Sequence, residues 1–249
     1  MKIAISQPTY LPWIGYFDLI EQVDVFVLLD DVQFEKQSWQ QRNRIKTPTG
    51  LQWLTVPVIF RGRLGQKINQ VEVRDRDFWR RHRRAIELNY ARSSFFADYF
   101  ELLISKISSK ETFLADLNIG LIESFTTILG IKTPLMRSST IHQPGKRTEL
   151  LANICECLGA DQYLSPLGSA AYLLAEQNTL LDRGIDVVFQ NYMHPEYRQL
   201  FSPFVPYAST IDLLFNEGAR SLEIIRSGRR APFLPSEVVP QIAQHATVK

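Results

Sequence analysis

The sequence predicts an α/β fold with a mainly parallel sheet flanked by helices. Apolar runs of strand length alternate along the chain with segments of helical periodicity. The connection between the first two runs is just long enough for a crossover helix, as parallel strands require. Apolar residues make up 45% of the 249 residues, so the chain can bury a full core as a single α/β domain over residues 1–249.

The amino-terminal part of the chain is predicted to begin with a βαβ unit. The unit consists of a strand at residues 3–5, a helix at 13–22 and a strand at 25–29. Further strands are predicted at 53–59 and 68–73. The glycine-containing loop between these last two strands favours a hairpin.

The remainder is predicted to hold a helical segment and then a return to α/β structure. Residues 76–130 show apolar side chains at three-to-four spacing and are interpreted as a mainly helical insertion or subdomain. The proline-containing tail, residues 230–249, is expected to be irregular. Between them, the pattern predicts helices at 148–158, 169–183 and 211–227 and strands at 162–164 and 187–190.

Composition argues against a membrane protein and against a disulfide scaffold. The longest apolar runs are far shorter than the roughly 20 residues that a membrane-spanning helix needs, and the amino terminus lacks the features of a signal peptide. We therefore expect a cytoplasmic protein with no membrane partner. Cys155 and Cys157 lie two positions apart on a predicted helix, where their side chains diverge, so we expect two buried thiols and no disulfide.

A net charge of +2 hides an arginine-rich segment, residues 74–92, which holds seven arginines and three acidic residues. Such a segment is suited to phosphate or nucleic acid. It is also typical of a solvated helix face, and nucleic acid is the less favoured partner.

Polar residues follow the predicted strands at the points where they end. Because ligands bind beyond the carboxyl ends of parallel strands, we predict that these residues line one cleft. They are Gln7, Asp30, Ser165 and His194.

Two of these residues suit acid–base chemistry. Asp30 ends an apolar run, where it can hold an amine, a ribose hydroxyl or a metal, or can simply cap a turn. His194 lies in a polar cluster between Tyr192 and Glu196, and its ordinary pKa suits a general base, with a structural histidine as the alternative. No spacing in the chain matches a structural zinc site, so no metal is predicted.

Two basic segments are candidates for anion binding. Arg42, Arg44 and Lys46 alternate in a segment that follows Trp39, which suits a diphosphate but also an exposed edge strand. Residues 145–148 precede a predicted helix, whose free amides attract anions. They do not form a Walker A loop, because its first glycine and its terminal hydroxyl residue are missing.

Several motifs taken together resemble the WbqC-like family, and they extend over nearly the whole chain to about Gly218. Where that family commonly has glycine after the serine of its Tyr-Leu-Ser motif, this chain has Pro166. The motifs are QPTYLPWIGYF at 7–17, DDVQF at 30–34, RNRIK at 42–46, LTVPV at 54–58, DQYLS at 161–165, YMHPEY at 192–197 and STIDLLFNEG at 209–218.

The family is associated with bacterial gene clusters for surface polysaccharides (O-antigen) and with the modification of amino sugars. The resemblance therefore implies a transferase that forms an amide on the amine of a nucleotide sugar or another small-molecule amine. The donor would be an activated acyl or aminoacyl group. The cofactor stays open at the level of sequence: a thioester, including one borne on an acyl carrier, suits this role, and ATP is less favoured.

The resemblance also implies roles for individual residues. His194 or Asp30 would act as the general base, and Gln7 would stabilise the oxyanion. The remaining motif positions are assigned to substrate binding: Arg42 and Lys46 would hold the diphosphate, and Tyr10 or Trp13 would cover a base or sugar face, while Gln33, Ser165, Tyr192, Glu196 and Asp212 have no more specific role.

Two other functions stay open at the level of sequence. One is an ATP-dependent nucleotidylyltransferase or ligase of the His-x-Gly-His-like superfamily, since Trp13-Ile14-Gly15-Tyr16 follows the first strand, although both histidines are missing. The other is a non-catalytic nucleic-acid-binding or assembly protein that works through the arginine-rich segment.

Overall fold

A computed structural model of the chain describes residues 1–238. It contains a five-stranded sheet in which every strand runs parallel to its neighbours, and a separate two-stranded antiparallel ribbon. Ten α-helices lie between residues 14 and 227 and flank the sheet, and residues 235–238 are also helical. The predicted α/β class with a mainly parallel sheet is therefore confirmed.

The elements have the following bounds. The strands are β1 (Lys2–Ser6), β2 (Val25–Leu28), β3 (Arg42–Thr47), β4 (Gly50–Thr55), β5 (Leu135–Arg137), β6 (Gln162–Ser165) and β7 (Asp186–Phe189). The helices are α1 (Ile14–Glu21), α2 (Phe78–Tyr90), α3 (Phe96–Ile107), α4 (Leu114–Leu129), α5 (Ser138–Ile141), α6 (Thr148–Cys157), α7 (Ala170–Ala175), α8 (Asn178–Leu181), α9 (Thr210–Glu217) and α10 (Ser221–Ser227).

The strands of the parallel sheet lie in the order β5-β2-β1-β6-β7. The chain thus builds β2 and β5 on one side of β1 and then crosses back to add β6 and β7 on the other. The reversal falls between β1 and β6. When the five parallel strands are numbered among themselves along the chain, their order is 3-2-1-4-5, as in the first five strands of a common doubly wound fold. In such folds the reversal opens a crevice for ligands at the carboxyl ends of the strands.

Side-chain alternation along β1 divides the core between the two faces of the sheet. Ile3 and Ile5 pack against α6, α7 and α8, on what we call the α6 face. Ala4 packs with residues of α1, α4 and α9, on what we call the α1 face. Complete burial of each isoleucine contributes about 1.5–3 kcal/mol, so the alternation fixes the register of β1 between its neighbours.

The hairpin forms earlier in the chain than the sequence predicts. β3 and β4 pair around a turn at Pro48 and Thr49. The strand predicted at 53–59 coincides with β4 only over residues 53–55. The strand predicted at 68–73 is a 3-10 turn followed by two isolated bridges, Glu72 with Phe113 and Val73 with Val58. The prediction followed apolar composition, whereas β3 is rich in cations.

The later elements differ from the prediction in detail. The helix predicted at 169–183 is divided into α7 and α8, and the helix predicted at 211–227 is divided into α9 and α10 by a 3-10 turn. β5 was not predicted, because its three residues are too few to show a periodicity.

The predicted helical segment, residues 76–130, contains α2, α3 and α4. Of the expected irregular tail, the structure describes residues 230–238. There Phe233 exchanges two backbone hydrogen bonds of 2.9 Å with Phe189 of β7, residues 235–238 are helical, and Val238 is buried, so the expectation of an irregular tail is wrong for this part. The rest of that tail, 239–249, lies outside the described residues. Within 1–238, no helix combines the length and the apolar character that crossing a bilayer demands.

Candidate functional site

The end of β1 separates two clefts at the carboxyl edge of the sheet. Ser6 lines a cleft of about 520 Å³ on the α1 face, and Gln7 lines a cleft of about 600 Å³ on the α6 face. Successive residues of an extended strand point to opposite faces, so these two neighbours serve different clefts. We call them the switch-point cleft and the α6 cleft.

The switch-point cleft lies where the strand order reverses, between the ends of β1, β6 and β7. The start of α1 and residues 43 and 44 of β3 complete its walls. Its lining residues are Ser6, Thr9, Trp13, Gly15, Tyr16, Leu19, Trp39, Asn43, Arg44, Pro166, Leu167, Gly168, Gln190, Tyr192 and Tyr207.

Aromatic side chains form one wall of the switch-point cleft. A Cβ added to Gly15 would lie 2.2 Å from Cη2 of Trp13, so the indole rests directly on the start of α1. Tyr192 and Tyr207 pack against this indole at ring-centroid distances of 5.6 and 5.5 Å. Rings arranged in this way offer apolar faces to a base or a sugar.

Arg44 supplies a cation to the opposite wall. Its guanidinium carbon lies 5.3 Å from the ring centre of Trp39 and 5.4 Å from that of Trp53. Partial burial lowers the pKa of Arg44, yet an arginine remains a cation at neutral pH. None of the ion pairs among residues 1–238 involves Arg44. Its charge is therefore available to an anionic ligand.

His194 lies one side chain behind the aromatic wall. Its ring packs against Trp13 and Tyr207 at ring-centroid distances of 6.2 and 5.1 Å. Nδ1 is 2.9 Å from the carbonyl oxygen of Pro195, which can only accept, so the hydrogen is on Nδ1. Nε2 is buried and has no hydrogen-bond partner in the described part of the chain. Burial lowers the pKa of His194, which keeps the imidazole neutral at pH 7.

The α6 cleft lies beyond the ends of β1 and β2, beside the start of α6. Polar and charged side chains surround it, and leucines of α6 contribute apolar surface. Its lining residues are Gln7, Leu29, Asp31, Val32, Gln33, Gly65, Lys67, Gln143, Gly145, Lys146, Arg147, Leu150, Leu151 and Tyr172.

Comparison with known proteins places the chain in a family. A model of the WbqC-like protein family matches residues 7–224. The chain belongs to the WbqC-like family. Uncharacterized protein Rv1507c of Mycobacterium tuberculosis is 39% identical over 231 residues, which cover 92% of this chain and 99% of that protein. No solved structure gives a significant match.

The match to the WbqC-like family covers both clefts. Every residue that lines them lies within the matched range except Ser6, which directly precedes it. The family resemblance predicted from the motifs is therefore confirmed, and the motif positions can be placed one by one.

Asp30 of this WbqC-like protein is buried away from both clefts. Arg137 forms an ion pair with it, with Nε 2.8 Å from Oδ2, and Ser139 donates to it from its backbone at 3.0 Å and its hydroxyl at 2.9 Å. The single hydroxyl hydrogen of Ser138 is shared between Asp30 and Asp31. Asp30 thus joins β2 to β5 and α5, and it is Asp31 that faces the α6 cleft.

The predicted diphosphate ligands do not lie together at the switch-point cleft. Arg42 lines neither cleft, and its guanidinium carbon lies 4.2 Å from the ring centre of Trp53. Lys46 is 1% exposed, and its Nζ is 3.3 Å from the carbonyl oxygen of Thr47. Strand alternation puts the three cations of β3 on one face, but the ribbon presents only Arg44 to the cleft.

Two further motif positions are buried in the core. The hydroxyl of Tyr10 is 2.8 Å from Nδ1 of His82, which joins the loop after β1 to α2. Asp212 accepts hydrogen bonds of 2.8 Å from Tyr90 and Tyr197, and desolvation raises the pKa of its carboxyl. Neither Tyr10 nor Asp212 can touch a ligand in either cleft as the protein stands.

The four residues expected to line one cleft are not brought together. Gln7 faces the α6 cleft, and His194 lies behind the switch-point cleft. Asp30 and Ser165 are fully buried, and the hydroxyl of Ser165 donates to the carbonyl of Pro166 at 3.1 Å. All four are near the carboxyl edge of the sheet, but side-chain direction at each strand end separates them.

The remaining candidates divide between the clefts and the surface. Trp13 and Tyr192 line the switch-point cleft, as a substrate-binding role requires. Gln33 is exposed and lines the α6 cleft. Glu196 is exposed and lines neither cleft.

Three of the seven arginines in the arginine-rich segment are paired with carboxylates at the start and on the surface of α2. Arg80 pairs with Asp77 at 3.2 Å, Arg81 with Asp75 at 3.0 Å, and Arg83 with Glu101 at 2.7 Å. These pairs favour the interpretation as a solvated helix face.

The cysteines and the ionisable clusters add no further catalytic group. Cys155 is buried, but Cys157 is exposed, so the prediction that both are buried is wrong for Cys157. The angle between positions two apart on a helix, which keeps the thiols from meeting, also turns one of them to solvent. Within residues 1–238, no group of three His, Cys, Asp or Glu side chains is arranged to hold a metal ion.

Sequence reasoning missed several residues of the switch-point cleft. Gln190 and Tyr207 line it and were not predicted, whereas Trp39 and Arg44 belong to the predicted anion-binding segment without having been assigned to the cleft. Their proximity depends on the pairing of β3 with β4 and on the path of residues 195–208, neither of which shows a periodicity. The cluster of a tryptophan with alternating cations was the signal that pointed to Arg44.

Proposed function

We propose that this WbqC-like protein is a transferase that forms an amide on the amine of a nucleotide-activated amino sugar in surface-polysaccharide biosynthesis. The observation that carries the proposal is the unpaired Arg44 guanidinium among indole rings in the switch-point cleft. A planar guanidinium binds a diphosphate in bidentate fashion, and aromatic faces cover a base. The cleft volume of about 520 Å³ is in the range of small-molecule sites.

The reaction would join the amine to an acyl or aminoacyl thioester. The amine nitrogen attacks the thioester carbonyl carbon and forms the C–N bond. The tetrahedral intermediate then collapses and breaks the C–S bond, and the proton lost by the amine passes through a base to the departing thiolate. Neither cysteine lines a cleft, which favours direct transfer over an acyl-enzyme.

His194 is the proposed base. With hydrogen on Nδ1 and a lone pair on Nε2, the neutral ring can accept the amine proton. It packs against Trp13 and Tyr207, so the amine reaches Nε2 only when one of these side chains turns aside. Tyr207 is the better candidate for this movement, because its side chain is 49% exposed.

Gln7 is the proposed oxyanion donor. Its Oε1 accepts a hydrogen bond of 2.8 Å from Nε2 of Gln40, which orients the amide. The Nε2 group of Gln7 is then left to donate to the oxygen that becomes negative during attack. Gln7 lines the α6 cleft, whereas the acceptor amine would lie in the switch-point cleft on the other face of the sheet, so the donor carbonyl and the amine would have to meet around the end of β1.

Calorimetry with a uridine-diphosphate amino sugar tests the acceptor site. We expect Arg44→Ala to weaken binding at least about tenfold, as loss of charge-assisted hydrogen bonds to a phosphate requires. Arg42→Ala is the matched control, since it removes the same side chain two residues away outside the cleft, and it should bind as the native protein does. Equal affinity of the Arg44→Ala and native proteins would overturn the proposal.

An ATP-dependent nucleotidylyltransferase or ligase is the second candidate. It is favoured by the strand order, which puts the turn between β1 and α1 at the switch point, where nucleotides bind in doubly wound folds. Incubation of the protein with ATP and candidate acids, followed by a pyrophosphate assay, separates the two. Pyrophosphate release would favour the ligase.

A further inference from the structure

The α6 cleft carries more positive charge than its surroundings neutralise. Lys67, Lys146 and Arg147 all line it. Arg147 has an acidic partner, Glu176, at 3.3 Å. Neither lysine takes part in any ion pair among residues 1–238. The cleft thus has two cations available to an anionic ligand.

One acidic side chain faces the same cleft, and it is already engaged. Asp31 accepts a hydrogen bond from the hydroxyl of Ser138. Ser138 in turn is held by Asp30, which is paired with Arg137. Asp31 is therefore fixed at the side of β2 and pairs with neither lysine.

The start of α6 adds donors beside the lysines. The first amides of a helix have no partner within it, and here they lie next to Lys146 and Arg147. Gly145, at φ 104°, brings the loop so close to this start that a Cβ on it would lie 3.0 Å from the amide nitrogen of Leu150. Thr148, the first residue of α6, is fully buried, and its Oγ1 has no hydrogen-bond partner in the described structure.

Apolar surface continues from these polar groups into the cleft. Val32 of the loop after β2, Leu150 and Leu151 of α6, and the ring of Tyr172 all line it. A ligand that fits this cleft has an anionic end for the cations and an uncharged chain for the apolar part. Gln7 is at the end of β1, where such a chain would present its reactive group.

We propose that the α6 cleft is a second ligand site, which binds the phosphorylated arm of a phosphopantetheine-type thioester. The proposal rests on the proposed function and names the donor for it. The phosphate lies between Lys67 and Lys146, the arm runs along the apolar part, and the thioester carbonyl reaches Gln7. The same chemistry can come from coenzyme A or from the prosthetic group of a carrier protein.

Calorimetry with acetyl-coenzyme A and with an acetylated phosphopantetheine-bearing carrier protein tests the site. We expect the native protein to bind at least one of these probes and the double variant Lys67→Ala/Lys146→Ala to bind it at least about tenfold more weakly. The control is Lys106→Ala/Lys132→Ala, which removes the same charge from exposed positions outside both clefts. If the carrier protein binds and acetyl-coenzyme A does not, the natural ligand is the phosphopantetheine arm attached to a carrier protein.

Two results would overturn the second site: no binding of either probe to the native protein, or equal affinity of the native and Lys67→Ala/Lys146→Ala proteins. Arg44→Ala separates this outcome from failure of the acceptor site. We expect it to bind acetyl-coenzyme A or the carrier as the native protein does while it loses the nucleotide sugar. If Arg44→Ala keeps the nucleotide sugar and the lysine variant still loses the thioester, the proposed acceptor site fails and the second site stands.

Discussion

The indole of Trp13 lies on Gly15 at the start of α1, and a side chain at position 15 would occupy the space of its six-membered ring. The Cβ of an alanine there would come within 2.2 Å of Cη2 and 2.4 Å of Cζ2 of the indole. Glycine is required at position 15 because the indole of Trp13 occupies the space of a side chain there. The same indole forms part of the aromatic wall of the switch-point cleft.

We expect Gly15→Ala to displace the Trp13 indole and weaken nucleotide-sugar binding about tenfold, the loss typical of one stacking partner. Calorimetry measures the affinity and a melting curve reports the fold. Gly120→Ala on α4 is the control, because nothing lies within 4 Å of its added Cβ. That control should keep its affinity and gain about 0.5–1 kcal/mol of stability. If the Gly15→Ala protein binds the nucleotide sugar with native affinity, Trp13 does not contribute to the binding site.

Asp30→Asn is expected to destabilise the protein by at least about 2 kcal/mol, because it removes the charge of a fully buried carboxylate that is paired with Arg137 and disturbs the hydrogen bonds that Asp30 accepts. Asp116→Asn breaks the other ion pair of Arg137, whose two side chains are each 34% exposed, and should cost below about 1 kcal/mol. Chemical denaturation compares the two variants. An Asp30→Asn protein that is as stable as the native protein but has lost turnover would show that Asp30 takes part in the reaction.

His194→Gln is expected to keep the fold and the affinity for the nucleotide sugar but to lower turnover by roughly 10²–10⁴-fold. Since burial lowers the pKa of His194, the native rate should decline only below the ordinary pKa of histidine, as the base becomes protonated. The variant should lose this decline. Matched melting curves and a pH–rate profile are the measurements, and a folded variant with native turnover would exclude His194 as the base.

His82 should make the free energy of unfolding fall as the pH falls from about 6.5 to 4. Burial lowers its pKa from 6.5 to about 4, so in this interval the unfolded chain binds a proton that the folded protein does not. Above pH 6.5, the pKa of His82 in the unfolded chain, this contribution to the free energy of unfolding is fully present. As the pH falls, the contribution is lost by at most about 1.4 kcal/mol per pH unit and by about 3 kcal/mol in total.

Denaturation of the native and His82→Gln proteins at pH 7, 6 and 5 measures this effect. Carboxyl groups titrate alike in both proteins. The difference between the two slopes of unfolding free energy against pH therefore reports the titration of His82 alone. The variant is expected to be less stable at pH 7, because it loses the contact with Tyr10, but to depend less on pH. Parallel slopes would show that His82 does not titrate in this range.

Local patterns were enough to predict the βαβ unit, the helical segment and the class of the sheet. In β1 the apolar side chains are consecutive because both faces of the strand are buried, and a continuous apolar run is what a central parallel strand requires. The motifs also led to the WbqC-like family, since they are stretches of adjacent residues. Trp13 and Tyr192 were assigned to the site for the same reason, and both line the switch-point cleft.

Tertiary structure alone decided which cation and which carboxylate face a cleft. In β3, alternation gives Arg42, Arg44 and Lys46 the same side of the strand, but only the packing of the ribbon buries Lys46 and presents Arg44. After β2, Asp30 and Asp31 are equivalent in the sequence, and Arg137, more than a hundred residues away, pairs with the first of them. Periodicity reports the side of an element on which a residue lies, whereas burial and pairing depend on what packs against that side.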